Sequence, residues 1–336
     1  MKRLLALAAL AVLGAAGCRT DMLFVASQSM QNPATALAVQ EFEKALKSPA
    51  VKAVVEVHEM AVSDVQTAAG REEIGKLARV RVLNSSAKVV ACLGDAAITE
   101  LAGKLSDAST VFVVGGLQTN PAQYGLARSG RVVGVWSPPS VEEAMLLAKS
   151  AWPQAARLGV LADEGPLSWP VLAQLRARKD WPMSVVAVKT LRTKDEWVAE
   201  ALSMQNRVDV ILCVGMTALK DSLGNVCGLE EVAKATAAAV KIPTVAFQRD
   251  AVMCDGLMMA VAPPAAETGR LMGDFAIQAL TLRMDQIDPK FVQTKGSDIY
   301  INAALADRLN IRIPTAVTDK ATEIVRPGPE TAPARK

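Results

Sequence analysis

Twice along this chain, short runs of β-branched and other apolar residues alternate with longer segments whose apolar positions fall on one helical face. That alternation restricts the fold, because a helix-length connection returns the chain to the starting edge of its sheet and makes consecutive strands parallel. The first round has strand patterns at Met22–Ala26, Val51–His58, Lys88–Leu93 and Val111–Val114. Helical patterns at Pro33–Lys47, Asp64–Leu83 and Ala96–Leu105 separate them, and Val39, Phe42 and Leu46 share the sheet-covering face of the first. The second round places strands at Arg157–Leu161, Ser184–Val188, Val208–Cys213 and Pro243–Ala246, with helices near Leu167–Arg178, Lys194–Gln205 and Leu229–Val240. The expectation is an α/β protein of two doubly wound parallel-sheet lobes.

Helix-start signals agree with this division. Ser63-Asp64-Val65-Gln66, Ser140-Val141-Glu142-Glu143 and Thr193-Lys194-Asp195-Glu196 have the capping-box pattern, in which a hydroxyl and a side chain three residues on satisfy amides that lack helical partners. Pro263-Pro264 opens a further helix, Ala265–Arg283, with Glu267 in the first turn, where the helix dipole favours a negative charge. Short extended pieces and an Ala-rich helix near Asn302–Leu309 follow. Residues 326–336, rich in Pro and charge, are expected to be disordered.

The chain begins with Lys2 and Arg3, then thirteen apolar residues, Leu4–Ala16, too few to span a bilayer as a helix. Small residues Ala15, Ala16 and Gly17 precede Cys18, so residues 1–17 read as a secretory signal removed on export. A cysteine directly after the cut matches a bacterial lipobox, and lipidation of Cys18 would anchor the protein to a membrane. Ala15 stands where such boxes usually carry Leu, and an ordinary secretory cut after Gly17 satisfies the same small-residue rule.

Formal net charge is +3, with Lys and Arg scattered among Asp and Glu and only 4% aromatic residues, which argues against a nucleic-acid partner. The sole histidine, His58, lies in an alternating strand pattern, a structural setting. No H-E-x-x-H, G-x-S-x-G, P-loop or G-x-G-x-x-G motif occurs, and no carboxylate pair sits in an apolar context. These subtractions leave no catalytic residue, no metal site and no cofactor, and favour binding over catalysis. Cys92 and Cys213 end apolar runs and read as buried thiols, whereas Cys227 and Cys254 occupy turn-like segments open to a disulfide in an oxidising compartment.

Ligands of open parallel sheets lodge beyond the carboxyl ends of the strands, and those loops are polar here. After the first strand, Ser27, Gln28 and Ser29 lead to Asn32, an N-cap before Pro33 whose neighbouring amides and hydroxyls suit a carboxylate. Gly94, Asp95 and Ala96 open the next helix start, where Asp95 serves a ligand or only caps. Gln118 and Asn120 supply neutral hydrogen-bonding groups, and Trp136 either stacks on a ligand or packs at a hinge. From the second lobe come Asp163, Gly215, Met216 and Gln248, with Asp163 either paired to a ligand ammonium or an exposed loop acid, the reading that suits its neighbour Glu164.

The order of several stretches resembles a known family. These are Val89 to Ala97, Arg131-Val132-Val133-Gly134-Val135, Ala151-Trp152-Pro153 running into Ala156 to Leu161, Lys241-Ile242-Pro243-Thr244-Val245, Gly256 with Gly269, and Ile301 to Ala306 with Ile311 and Pro314. Together they are similar to ABC-transporter substrate-binding proteins related to the tryptophan/tyrosine-binding group, with a type I periplasmic binding fold. The resemblance implies a multi-crossover hinge, with residues 18–134 plus 262–288 as lobe I and 135–261 plus 289–325 as lobe II. It also implies a monomer in the cell envelope that closes on a small-molecule ligand and delivers it to an ABC permease in the inner membrane; a ligand sensor signalling to a membrane receptor is the alternative role. The chain departs from the family at Asn120-Pro121, where Asp-Pro is usual, and at Asp95, where a small hydroxyl is usual. An acid at Asp95 favours a cationic or amine-bearing ligand.

Overall fold

The computed structural model describes residues 20–326 apart from 48–52, 63, 64, 66, 106–108, 127, 128 and 166. The expected signal segment, Cys18, the capping pattern at Ser63 and the tail beyond Arg326 therefore lie outside the described residues. In chain order the strands are β1 (Met22–Ala26), β2 (Val55–Glu59), β3 (Val89–Leu93), β4 (Val111–Leu117) and β5 (Val132–Trp136). They continue as β6 (Arg157–Asp163), β7 (Ser184–Leu191), β8 (Val210–Val214), β9 (Thr244–Ala246), β10 (Met259–Ala262), β11 (Phe291–Gln293), β12 (Asp298–Asn302) and β13 (Glu323–Val325). One sheet has the order β11-β5-β4-β3-β1-β2, the other β13-β12-β10-β9-β8-β6-β7. Among the described residues every pairing in the first sheet is parallel, and the one antiparallel strand pairing of the second joins β10 to β12.

Both faces of each sheet are covered, which is why the strands read as unbroken apolar runs. Met22, Phe24 and Ala26 of β1 point to one face with Val39 and Phe42 of the helix Pro33–Leu46, while Leu23 and Val25 point to the other with Ala78 and Val82 of the helix Ala68–Asn84. In the second sheet Leu158, Val160 and Ala162 face the cluster built on the helix Val141–Ala151, and Leu161 faces the one holding Trp197. Phe24 and Phe42 are both fully buried and meet edge to face at 4.8 Å, which adds about 0.5–1.5 kcal/mol to their burial. The helix Ala265–Thr281 packs against Pro33–Leu46 so closely that a Cβ on Gly269 would lie 2.0 Å from the Ala38 carbonyl oxygen.

Start signals behave as the sequence indicates where they are described. Thr193 and Glu196 form the full reciprocal box, and Ser140 Oγ accepts from Glu143 N at 3.2 Å. The second helix begins later than the periodicity suggests, at Ala68, because the Thr67 hydroxyl takes the capping role by accepting from Gly70 N.

The chain passes between the sheets at residues 137–140, 263–264 and 294–297. The expected third switch at 289 is corrected by β11, which pairs with β5 in the first sheet through Phe291 and Gly134. Three residues of strand give too little periodicity to be assigned from local sequence. All three passages leave from strand carboxyl ends, so those ends of both sheets are brought together. Hydrogen bonds lace the passages to one another: Ser137 Oγ to Thr268 Oγ1 at 3.3 Å, Lys295 N to Glu267 Oε2 at 2.7 Å, Ala265 N to Asp298 Oδ2 at 3.1 Å, and Ser297 to Glu143.

Candidate ligand-binding site

A side-chain hydrogen bond joins the facing strand ends. Asn32, after β1, caps the helix Pro33–Leu46 by accepting from Ala34 N at 3.0 Å and Thr35 N at 3.2 Å, while its Nδ2 donates to Asp250 Oδ2 at 2.7 Å. Asp250 follows β9 in the second sheet, and its other oxygen takes Arg249 Nη1 at 3.2 Å. Arg249 is itself fixed by a bidentate pair with Glu323 and lies over the Tyr300 ring at 5.7 Å. A loop of one lobe is thus clasped to an anchored acid of the other. Sequence patterns did not single out Asp250 or Arg249, since nothing local distinguishes a cross-lobe partner from a loop charge.

Several expected ligand groups are already occupied. The amides of Ala34 and Thr35 are taken by the Asn32 side chain and that of Ala36 by its carbonyl, so the first helix turn has no free donors to offer a carboxylate there. The buried Ser27 hydroxyl accepts from Ala97 N at 2.8 Å, an approach made possible by Gly94, where φ is +88° and a Cβ would stand 2.9 Å from Ser27 Oγ. Asn120 is exposed and caps the short turn Pro121–Tyr124 by accepting from Ala122 N. Trp136 is half-buried and packs on the cluster containing Leu117 and Leu126, which favours the hinge-packing reading.

In the second lobe Asp163 is only 1% exposed and already accepts four hydrogen bonds, from Gly165 N, Ser168 Oγ, Thr217 N and Ala218 N. Its expected role toward a ligand ammonium is corrected accordingly: the carboxylate ties the loop after β6 to the loop after β8. Gly215 makes room for that seat, since a Cβ there would come within 2.1 Å of Asp163 Oδ1 at φ +84°. Met216 is fully buried beside Leu219 and does not face the cleft. Glu164 is exposed and paired with Arg192 at 2.8 Å. The disulfide expectation also falls, because Cys227 and Cys254 are both free thiols, Cys227 buried in an apolar cluster and Cys254 packed at its margin.

What stays available is mainly acceptor. Asp95 is half-buried at the start of its helix, and Tyr124 Oη donates to its Oδ1 at 2.8 Å. Burial holds the Asp95 carboxyl above the usual carboxylate range, and the Tyr124 hydrogen bond draws it partway back. The Tyr124 hydroxyl is likewise pushed up by burial and then by the Asp95 charge, and it also meets buried Thr119. Tyr124 carries no sequence signal for this pairing, which depends on the turn after Asn120 folding over the β3 loop. Gln248 donates its Nε2 to Gly215 O at 2.8 Å, leaving a buried Oε1 with no partner among the described residues. Gln28 is exposed, and Ser29, Ala96 and Gln118 are half-buried on the same strand-end surface.

Solved structures with this architecture align along nearly the whole chain. An ABC domain from Streptococcus pneumonia, in complex with L-Trp, matches with a TM-score of 0.64 at 17% identity over 90% of this chain and 99% of its own. A conserved domain protein from Vibrio cholerae gives 0.64 at 21% identity, covering 91% and 100% of the two chains. The chain has the type I periplasmic binding fold. A ligand-free, open substrate-binding protein with adhesive properties from Clostridium difficile shares it, with a TM-score of 0.64 at 16% identity over 90% of this chain and 98% of that one. No family model and no curated protein matches the sequence. Asp95, after β3, and Gln248, after β9, both stand at the strand carboxyl ends that the three passages bring together.

Proposed function

We propose that the chain is an exported solute-binding protein of an ABC importer, capturing a small polar, amine-bearing solute between its lobes without catalysing a reaction. The observation that carries the reading is the Asn32–Asp250 hydrogen bond across facing strand ends, flanked by acceptors with unspent capacity at Asp95 and Gln248. The likeness to an ABC domain in complex with L-Trp and to a substrate-binding protein supports a binding role for the same architecture. In this reading Gln28, Ser29, Asp95 and Gln118 contact the solute from the first lobe and Gln248 from the second. An ammonium suits the set, because Asp95 and Gln248 Oε1 both accept. Cys18 carries the lipid that holds the protein beside a permease in the cell envelope.

Native mass spectrometry of the freshly purified processed chain tests this. A retained small molecule bearing an amine is expected, with retention lost in Asp95→Ala. A chain that emerges empty and shows no thermal shift with any amino acid or small amine sinks the proposal, and unchanged retention in Asp95→Ala removes that residue from the site.

A further inference from the structure

Two seats at the facing strand ends are built to hold a negative charge, and the chain fills both with its own carboxylates. In the second lobe the amides of Gly165, Thr217 and Ala218 and the Ser168 hydroxyl all donate to Asp163, at 2.6 to 3.0 Å. Asp163 is 1% exposed, so a second anion has no way to those donors. The other seat is the Arg249 guanidinium. Glu323 takes its Nε at 2.9 Å and its Nη2 at 2.7 and 2.9 Å, and Asp250 takes Nη1 at 3.2 Å. Two carboxylates thus outweigh the single positive charge.

Backbone donors of the first lobe are spent in the same way. After β1 the amides of Met30, Gln31 and Asn32 donate to Glu59 Oε2, Ser29 Oγ and Ser29 O, and those of Ala34, Thr35 and Ala36 donate to Asn32. At the helix start after Gly94 the first turn carries the Asp95 carboxylate, and Ala97 N donates to Ser27 Oγ. Residues 27–32, 94–97, 118–122, 137–140, 215–219 and 247–250, which follow β1, β3, β4, β5, β8 and β9, contain two acids, Asp95 and Asp250, and one base, Arg249. Arg192, Lys220 and Lys295 stand further out, exposed to water that screens them, and Arg192 is paired with Glu164.

We infer that the solute is an organic amine that carries no carboxylate, and so is not an amino acid. The inference deepens the proposed solute-binding role and rests on it. An ammonium finds Asp95, of which Tyr124 occupies only Oδ1, and Gln248 Oε1, which is buried without a partner among the described residues. A ligand carboxylate in the same space finds the amide seat plugged by Asp163 and the guanidinium plugged by Glu323 and Asp250. Gln28 and Gln118 can donate to it as neutral amides, but they bring no positive charge. A carboxylate stripped of water with no cation to receive it weakens binding by about a hundredfold or more.

Matched series isolate that charge from the rest of a ligand: tryptamine, L-tryptophan and L-tryptophanamide; tyramine, L-tyrosine and L-tyrosinamide; cadaverine, L-lysine and L-lysinamide. Titration calorimetry of the processed chain at about pH 6.5 keeps their amines protonated. In any series that binds, the amine and the amide are expected within about tenfold of each other, and the amino acid at least about a hundredfold weaker than either. An amino acid that binds as tightly as its amine overturns the inference. So does an amide as weak as the acid, because the discrimination then follows size and not charge. Asp95→Asn, shown to fold by its thermal melt, should lose about tenfold or more for the amine, and full retention of amine affinity also counts against the inference. The two readings fail separately: a chain that retains or binds a carboxylate-bearing solute keeps the solute-binding role and loses this inference, whereas one that purifies empty and binds no member of any series loses both.

Discussion

Replacing Asp163 with Ala removes the acceptor of four donors at once. Ser168 has Val214 O within 3.4 Å as a second acceptor, so its hydroxyl is partly compensated. The Thr217 and Ala218 amides are part-buried and recover some water, leaving each short of a charge-assisted hydrogen bond by about 1–1.5 kcal/mol. The Gly165 amide is buried and loses its partner outright, at about 1–3 kcal/mol. The expected total is about 4 kcal/mol, a large part of the ~5–15 kcal/mol that typically separates folded from unfolded chains. Glu164→Ala next door breaks only an exposed pair with Arg192 and should cost less than about 0.5 kcal/mol. Urea unfolding at pH 7, followed by circular dichroism and tryptophan fluorescence, measures both. If the two variants unfold at the same urea concentration, the reasoning about Asp163 is wrong. If Asp163→Ala also loses its solute at unchanged stability, the carboxylate faces the ligand after all.

Three further outcomes follow from other parts of the fold. Asp95→Asn keeps an acceptor for Tyr124 but removes a charge that burial disfavours; because the folded carboxyl is raised, its cost is absent in acid and develops as pH rises through the window above about 4, so the variant should melt higher at pH 7 and converge with the parent as pH falls toward 4. Gly269→Ala places a methyl 2.0 Å from a backbone oxygen that cannot swing aside, and thermal unfolding should show a loss of about 1–3 kcal/mol or more; an unchanged midpoint would mean the two helices are looser than described. Asp250→Ala breaks the clasp to Asn32 while leaving the Asn32 cap intact, so small-angle scattering of solute-free protein should show a larger radius of gyration, corresponding to a shift of about tenfold toward open lobes; an identical radius would remove the clasp from the closing mechanism.

The candidate site separates into groups legible in sequence and groups that are not. The Asn32, Ser140 and Thr193 caps were readable because a cap and the amides it satisfies lie within three residues of each other. Asn120 was readable as a polar loop residue, but its exposure and its local capping bond take it out of the cleft set. Asp163 and Gln248 look alike in sequence, as polar residues at strand ends. Only the return of the chain some fifty residues later, at Thr217 and Ala218, occupies one of them and leaves an oxygen of the other open.

Sequence alone determined the two-fold repetition of parallel α/β units, most strand positions and the described helix starts, because each of these is a pattern of neighbouring residues. Tertiary structure decided that β11 returns to the first sheet, that Asp250 of one lobe holds Asn32 of the other, and that Tyr124 covers Asp95. Those features join residues from about 30 to more than 200 positions apart, and their pairing depends on sheet order and on the three passages between lobes, to which local periodicity is blind.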